Sequence, residues 1–587
     1  MVPIWVIIYH RYRIGNWKVD LGQIYNRDWK PPASQLDYKE PSLLIDESLA
    51  DEPRYISNKI LGFLAGLGLF MWISQITFQG DLPNMEILRK DAEKIGTDAL
   101  VDWGFLPDSS WNIESISMAG SRQDYRFIWQ TSGRDLFTGM IGTYLVEPSW
   151  LVRFRLLDDD VARRAEEYIC WIDPRGSKTR IIHKLPEDTP GASLSEEEAR
   201  AISIDFLKKT YSFKVGDLVE LEARSMKKPN RLDWEFQYQD TTAIDLKEGE
   251  LRLMVKLAGK DIVDHQRMVH VPEDWSRDEN QKNAKQAPFN FIMILVVILS
   301  LMAAIVWGLI RWSRKQFQLD LFLKTLVILI IVGLLSSWNN WPEILWSFST
   351  SEPYNDQLFQ AVFSSGLGII FISLFQALLA GSTHSLVHHN QNYVRTGTRI
   401  EKGIYIGLFL SGLLAIIGSF FPSLGPNAGL WGALSTRVPF LGVVLQDFSG
   451  FIMLTIIGLV IVNGLNTITK NWNIRKPIAV IYIYLIGFAM CQTLESALES
   501  IPLWIFSSLI IGTVLLIIYK EFLRFHPALI PIITATLSVL GSYENGLLNL
   551  YSGSFMGAVF ASIIIYIIAY IWYHELLKKP NQKAVVS

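Results

Sequence analysis

From residue 288 onward the chain is a succession of apolar runs of about 20 residues, each long enough to cross a hydrocarbon core of roughly 30 Å. Polar and charged residues gather between the runs. One more run, 59–79, comes earlier, and the 80–287 segment between has the mixed pattern of water-soluble protein. The pattern predicts ten spans, at 59–79, 289–310, 321–337, 357–380, 403–420, 438–463, 477–494, 501–519, 527–542 and 555–573. Lys324 falls in the third of these, and Pro527 and Pro531 fall in the ninth.

Loop charge orients the spans. Arg311, Arg314 and Lys315 follow the second span, Arg395, Arg399 and Lys402 the fourth, and Lys470, Arg475 and Lys476 the sixth. Lys520 and Arg524 follow the eighth, and Lys578 and Lys579 the tenth. The alternate loops 338–356, 495–500 and 543–554 have no Lys or Arg, and 421–437 has only Arg437. Basic loops stay inside. The expected division is a cytoplasmic segment 1–57, a first transmembrane helix 58–79, an extracytoplasmic domain 80–287, a multi-span domain 288–574 and a cytoplasmic tail 575–587, in an inner (plasma) membrane. Met1–Tyr9 is apolar, too short to span and not followed by a cleavage site. It is expected to lie in the interface or to be the remnant of a longer start.

Within 80–287 the chain repeats itself. Ser117-Met118 precedes Asp124-Tyr125-Arg126-Phe127-Ile128-Trp129-Gln130, and Ser225-Met226 precedes Asp233-Trp234-Glu235-Phe236-Gln237-Tyr238-Gln239. A helical pattern comes before each copy, at Leu88–Trp103 and Ser195–Tyr211. Ser193 or Ser195 ahead of Glu196-Glu197-Glu198 is an N-terminal capping signal. Strand alternation follows each copy: Tyr168–Ile172, a turn at Asp173–Gly176 and Arg180–His183, then Leu251–Val255, a turn near Gly259 and Ile262–Val271. Pro186-Glu187-Asp188 and Pro272-Glu273-Asp274 close the copies. The expected fold is a polytopic α-helical membrane bundle carrying an α+β domain of two repeated helix–meander units. In element order such a unit resembles the PepSY-like and cystatin-like modules found outside membranes. Its mixed aromatic and charged strand faces suit a peptide-holding surface or a lid on the membrane part.

Composition removes some readings. The net charge of −3 says little, because opposite faces of a membrane protein carry different charges, but the lack of a basic tract speaks against nucleic acid. The two cysteines, Cys170 and Cys491, fall in different regions, so neither a disulfide nor a cysteine metal site is expected. No phosphate loop, nucleophile elbow or kinase signature occurs. The expected partners are the lipid bilayer and a peptide or membrane protein at the outer domain.

Chemistry in the spans points first to Asp447, since an ionisable group in hydrocarbon is costly. It can bind a proton or cation, or pair with another helix. Glu495 and Glu499 are four apart and share a helix face, where carboxylates hold a cation, do acid–base work or end a helix in water. His384 and His388, also four apart, are metal candidates if the helix continues through them; otherwise they belong to a solvated loop rich in Asn and Gln. Trp338, Trp341 and Trp346 form an interfacial belt or an aromatic box.

Three segments carry a family resemblance: Val269-His270-Val271-Pro272-Glu273-Asp274-Trp275 before a span, Trp338-Asn339-Asn340-Trp341-Pro342 with Ser349–Tyr354, and Leu434–Leu441. Over residues 60–463 the layout resembles the large CPBP (Abi, or type II CAAX-protease-like) intramembrane metalloproteases. The resemblance implies a Glu-Glu-x-x-x-Arg helix after Leu441, followed by Phe-x-x-x-His and His-x-x-x-Asn helices. Instead the chain has Phe448-Ser449-Gly450-Phe451-Ile452-Met453-Leu454, and its His388…Asn392 match falls in a predicted cytoplasmic loop. The expected function is therefore a non-catalytic relative that binds or senses an envelope peptide or protein. The alternatives are an active metalloendopeptidase with a divergent site on Glu495, Glu499 and His526, and a transporter coupled through Asp447. No cofactor is predicted, and a divalent metal enters only with the protease alternative.

Overall fold

The computed structural model describes residues 57–78, 80–212, 216–244, 246–313, 317–389, 399–429, 432–492, 500–549 and 551–577. The first helix, α1 (Asn58–Gln75), starts at Ser57, whose Oγ accepts the Lys59 amide at 3.2 Å. The outer domain follows. Its first unit is α2 (Arg89–Asp102), β1 (Asn112–Met118), α3 (Arg122–Ser132), α4 (Arg134–Met140), β2 (Ser149–Arg155), β3 (Glu167–Ile172) and β4 (Lys178–Lys184). The second is α5 (Glu196–Tyr211), β5 (Leu218–Lys227), β6 (Leu232–Asp240), β7 (Glu250–Ala258) and β8 (Asp261–His270). Each unit is a helix and a four-stranded antiparallel meander, in the order β1-β2-β3-β4 and β5-β6-β7-β8. The cap of α5 is reciprocal: Ser195 Oγ accepts the Glu198 amide at 3.4 Å, and Glu198 Oε2 accepts the Ser195 amide at 2.9 Å. Both strand turns stand where the sequence placed them, with Gly176 and Gly259 at φ +92° and +61°.

One pairing of the repeat does not hold. Asp233–Gln239 is strand β6, whereas Asp124–Gln130 lies in helix α3. In β6 the apolar residues strictly alternate, and Trp234, Phe236 and Tyr238 are buried. In α3 three apolar residues are consecutive, Phe127-Ile128-Trp129. Ser121 caps the helix, Gly133 ends it at φ +84°, and Tyr125 and Ile128, three apart, are both buried. By register, the strand of the first unit that corresponds to β6 is β2, which follows α3 and α4.

After β8 comes α6 (Glu273–Ser313), 41 residues without a break. The expected boundary at 287/288 therefore falls inside a helix. Pro272-Glu273-Asp274 starts that helix, with its acidic residues at the positive end of the helix dipole. Arg126 Nη2 pairs with Glu279 Oε2 at 2.8 Å, and Gln123 Nε2 donates to Ser276 Oγ at 2.8 Å, so α3 holds the part of α6 that precedes the apolar run.

The remaining helices are α7 (Leu319–Asn339), the short α8 (Trp341–Trp346), α9 (Tyr354–His389), α10 (Ile400–Gly418), α11 (Pro439–Thr469), α12 (Lys476–Gln492), α13 (Ile501–Ile518), α14 (Ile530–Leu548) and α15 (Ser554–Leu577). Among the described residues seven helices are long and apolar enough to cross a membrane: α6, α7, α9, α10, α11, α13 with the turn after it, and α15. This is the architecture of a multi-pass membrane protein. Shorter or less apolar helices occupy the other predicted stretches: α1, α12 and α14. The two irregular stretches have local explanations. Lys324 Nζ reaches Asp320 Oδ2 at 2.7 Å at the start of α7, and Pro531 sits in the first turn of α14, where no amide is missed. His384 and His388 lie in the last turns of α9, so the helix continues through what the sequence suggested was loop.

The bundle packs through small residues. A Cβ on Gly68 of α1 would meet the Leu408 carbonyl of α10 at 2.5 Å, and one on Gly412 of α10 would run into the Gly68 backbone. The core of the first unit does not close on itself. Trp150, Val152, Phe154, Tyr168 and Cys170 form one cluster with Ala433, Leu434, Val443, Tyr551 and Ala558 of the membrane part. Cys170 and Cys491 are both buried and unbridged.

Candidate functional site

The functional geometry lies where the first sheet meets the bundle. After Ser149, β2 is apolar except for Arg153 and Arg155, which alternate onto the face opposite Trp150, Val152 and Phe154. Arg155 is fully buried. It pairs with Glu114 Oε2 at 2.5 Å, donates to the Leu345 carbonyl at 2.5 Å, and donates also to the Phe348 carbonyl. Arg153 forks onto Glu167 at 2.9 and 2.6 Å and donates to the Trp346 carbonyl at 3.0 Å. Its guanidinium carbon lies 5.6 Å from the Trp346 ring centre. Thr350 Oγ1 donates to Glu167 Oε1 at 3.2 Å, and Arg164 Nη1 donates to the Glu352 carbonyl at 2.8 Å. The last carbonyls of a helix lack intrahelical partners and favour cations. Two arginines therefore cap α8 and fix the 345–352 segment to the sheet. Burial raises the Glu114 carboxyl above the usual carboxylate range despite Arg155 beside it. Burial also acts upward on Glu167, but hydrogen bonds and charge from Arg153 and Lys184 prevail and hold it low.

A second tie involves the turn at Gly432–Ser435. Arg89 Nη1 donates to the Ser115 carbonyl at 2.7 Å, and Arg89 donates also to the Ser435 carbonyl. The Ser117 amide donates to Ser435 Oγ at 2.9 Å. Asn339, fully buried at the end of α7, receives the Arg437 amide on its carbonyl at 2.8 Å and the Val438 amide on Oδ1 at 2.9 Å. Below these contacts, α7, α8, the Gly432–Gly442 stretch and α11 enclose a recess of about 340 Å³. Ser336, Asn340, Glu343, Gln446 and Ser449 are among its walls.

Asp447 stands on α11 next to that recess but faces the other way. Its Oδ2 accepts a hydrogen bond from Ser542 of α14, inside the bundle. The turn after α14 returns to the outer domain, where Tyr551 bridges to Met85. The other candidates are not brought to it. Glu495 and Glu499 lie outside the described residues, as do Asn392 and the side chains of His384 and His388. His526 is half-buried beyond α13; burial and the charge of Lys402 push its ring down to about 4, so it is neutral. Among the described residues no three His, Cys, Asp or Glu gather as a metal site would require. Phe448 and Phe451, in the 448–454 stretch where the resemblance would put an adjacent Glu-Glu, are buried in the bundle core. The tryptophans sit at the junction, Trp346 under Arg153 and Trp338 under Arg437 at 5.5 Å.

The second sheet differs. Its apolar face is closed by α5, with Trp234, Phe236, Tyr238, Leu253 and Val255 packed on Ala199 and Leu207. Its other face carries Arg224, Glu235, Gln237, Gln239, Arg252 and Lys256, with one cross-strand pair, Lys256 Nζ to Glu235 Oε2 at 3.2 Å. The two sheets meet where Arg180 of β4 forks onto Asp264 of β8 at 2.8 and 2.9 Å.

The sequence singles out Asp447 and gives no direct notice of the clamp. The available signal was two arginines inside an otherwise apolar strand, which need buried partners. Comparison with protein-family models, curated proteins and solved structures finds no match.

Proposed function

We propose that this chain is a membrane-anchored binding protein. Ten spans hold it, both termini lie in the cytoplasm, and its outer domain holds a peptide or protein segment without hydrolysing it. The topology has support in the contacts. The 338–356, 421–437 and 543–554 loops, nearly free of Lys and Arg, are the ones that touch the outer domain, through Arg155, Arg89, Gln130 and Met85. The observation that carries the binding reading is the contrast between the sheets. The first is fastened to the bundle by buried arginines, and the second turns a polar, charged face away from its helix. An antiparallel sheet covered on one side only leaves such a face to water or to a partner. The buried Phe448 and Phe451 support a non-hydrolytic bundle.

Two experiments test this. Cysteine in place of Leu221, on exposed β5, is expected to react with a membrane-impermeant maleimide from outside intact cells; the native cysteines are buried. Labelling only after permeabilisation refutes the topology. Peptides selected from a display library on the full chain in nanodiscs are expected to protect β6 and β7 from hydrogen exchange, and to lose binding in Arg224→Glu/Lys256→Glu. Selected peptides that bind this variant equally well refute the binding face.

A transport reading draws on one observation, the Asp447 carboxylate held by Ser542 within the bundle. Proton-coupled uptake abolished by Asp447→Asn would favour it over binding alone. The protease alternative predicts bound divalent metal and chelator-sensitive cleavage in the purified protein.

A further inference from the structure

We infer that the recess between α7, α8 and α11 seats the uncharged, hydroxyl-rich headgroup of a membrane lipid. Gln446 and Ser449 are the starting observation. They lie seven and ten residues beyond the first residue of α11, about 10 and 15 Å along the helix axis. Three apart, they share a helix face, and both are exposed in the middle of an apolar run. An amide and a hydroxyl facing hydrocarbon are costly without hydrogen bonds. Neither makes one within the described residues, and nor do the side chains of Ser336, Asn340 and Glu343 on the facing wall. The other polar wall residues are satisfied: Asn339 holds the Val438 backbone, and Thr436 Oγ1 donates to the Ala433 carbonyl at 2.7 Å. Five unsatisfied hydrogen-bonding groups thus surround a space of about 340 Å³, at the lower end of the roughly 300–1,000 Å³ found for small-ligand sites.

Depth and charge narrow the occupant. The upper end of the recess lies beside Trp338, at the level where interfacial tryptophans sit. Gln446 and Ser449 on its wall lie further along α11, at the depth of the lipid chains in the proposed topology. A molecule embedded in the outer leaflet reaches both ends. Two cations lie nearby but do not line the recess: Arg89 donates to Ser115 and Ser435 while its charge also reaches Glu343, and Arg437 lies over Trp338. The walls therefore offer one carboxylate, amides and hydroxyls, with no cation. Phosphate would meet the Glu343 carboxylate on the wall, offset only through the Arg89 charge that acts on it. Polyol hydroxyls both donate to Glu343 and exchange hydrogen bonds with Asn340 and Gln446.

The test uses the full chain in phosphatidylglycerol nanodiscs doped with a monoglycosyl diacylglycerol, with retained lipid read by native mass spectrometry. The glycolipid is expected to be enriched over its share of the bilayer. Gln446→Leu/Ser449→Leu, which keeps the span apolar, is expected to lower its retention about tenfold, as loss of two hydrogen bonds implies. Ser336→Val, on the opposite wall, gives a smaller loss in the same direction and guards against misfolding of the double variant. Equal retention of the glycolipid by both variants overturns the assignment. So does preferential retention of phosphatidylglycerol. Displacement of the lipid by millimolar methyl glucoside, a soluble source of the same hydroxyls, overturns its lipid origin.

Discussion

In the first sheet the central strand β2 is buried on both faces, one against α2 and the other against the 345–352 segment. In the second, β6 buries Trp234, Phe236 and Tyr238 with Asp233 and Asp240 at its ends, and leaves Glu235, Gln237 and Gln239 half-buried on the other face. The strand order is the same. The difference is where the charges went. A sheet that buries Arg155 and Glu114 must find them partners: the two pair with each other, and the remaining Arg155 donors go to the carbonyls of a membrane loop. That requirement fixes the first sheet on the bundle. The second sheet buries charges too, but Asp233 pairs with Arg231 and Asp264 with Arg180, both within the outer domain, so nothing ties its outward face to the bundle.

The largest expected effect comes from breaking the clamp. Arg155→Met leaves Glu114 buried without its cation and is expected to cost about 3–5 kcal/mol, read as a lowered unfolding temperature and new protease sites near Trp346. Adding Glu114→Leu is expected to recover most of the loss, because the unpaired charge disappears. If the double variant is no more stable than the single one, the clamp does not work through this pair.

Acid should separate the two sheets next. His265 of β8, which meets the Tyr211 hydroxyl at 2.7 Å, is pushed down to about 4 by burial and by the Arg180 charge. Unfolded histidine titrates near 6.5, so the fold binds fewer protons than the unfolded chain between those values. Stability from this group is complete above about pH 6.5 and falls as pH drops towards 4, by on the order of 3 kcal/mol. Hydrogen exchange of β7 and β8 across that range is the measurement. His265→Gln should flatten the dependence there and leave β1–β4 unchanged.

Arg180 tests the seam. Arg180→Ala removes the fork onto Asp264, a pair about nine-tenths buried on both sides, and is expected to cost about 2 kcal/mol. A double-mutant cycle with Asp264→Ala should show coupling of similar size. Additive losses would mean that the sheets do not communicate through this pair. Smallest of all, Arg224→Glu on the open face is expected to change stability by less than about 0.5 kcal/mol. A larger shift would show that the face is already committed to an internal contact.

Much of this was readable beforehand. The α5 cap, the turns at Gly176 and Gly259 and the positions of the apolar helices follow from signals within a few residues of one another. The comparison of Asp124–Gln130 with Asp233–Gln239 failed for a physical reason. Similar letters in a similar order hid different periods, three consecutive apolar residues in one and strict alternation in the other. The helix through His384 and His388 was missed because polar residues at the end of an apolar helix look like loop. Beside the candidate site, Asp447 was visible because a lone carboxylate in an apolar run is conspicuous. Ser542, ninety-five residues away, was not.

The sequence alone determined where apolar stretches long enough for a bilayer occur, which loops carry positive charge, and that a helix and strand meander occur twice between the first two apolar runs. Those are properties of spacing and composition along the chain. Only the tertiary structure decided that the first meander shares its core with the bundle, that Arg153 and Arg155 cap α8, and that Gln446 and Ser449 line a polar recess. Each of those depends on residues far apart in sequence whose partners become known only when the chain has packed.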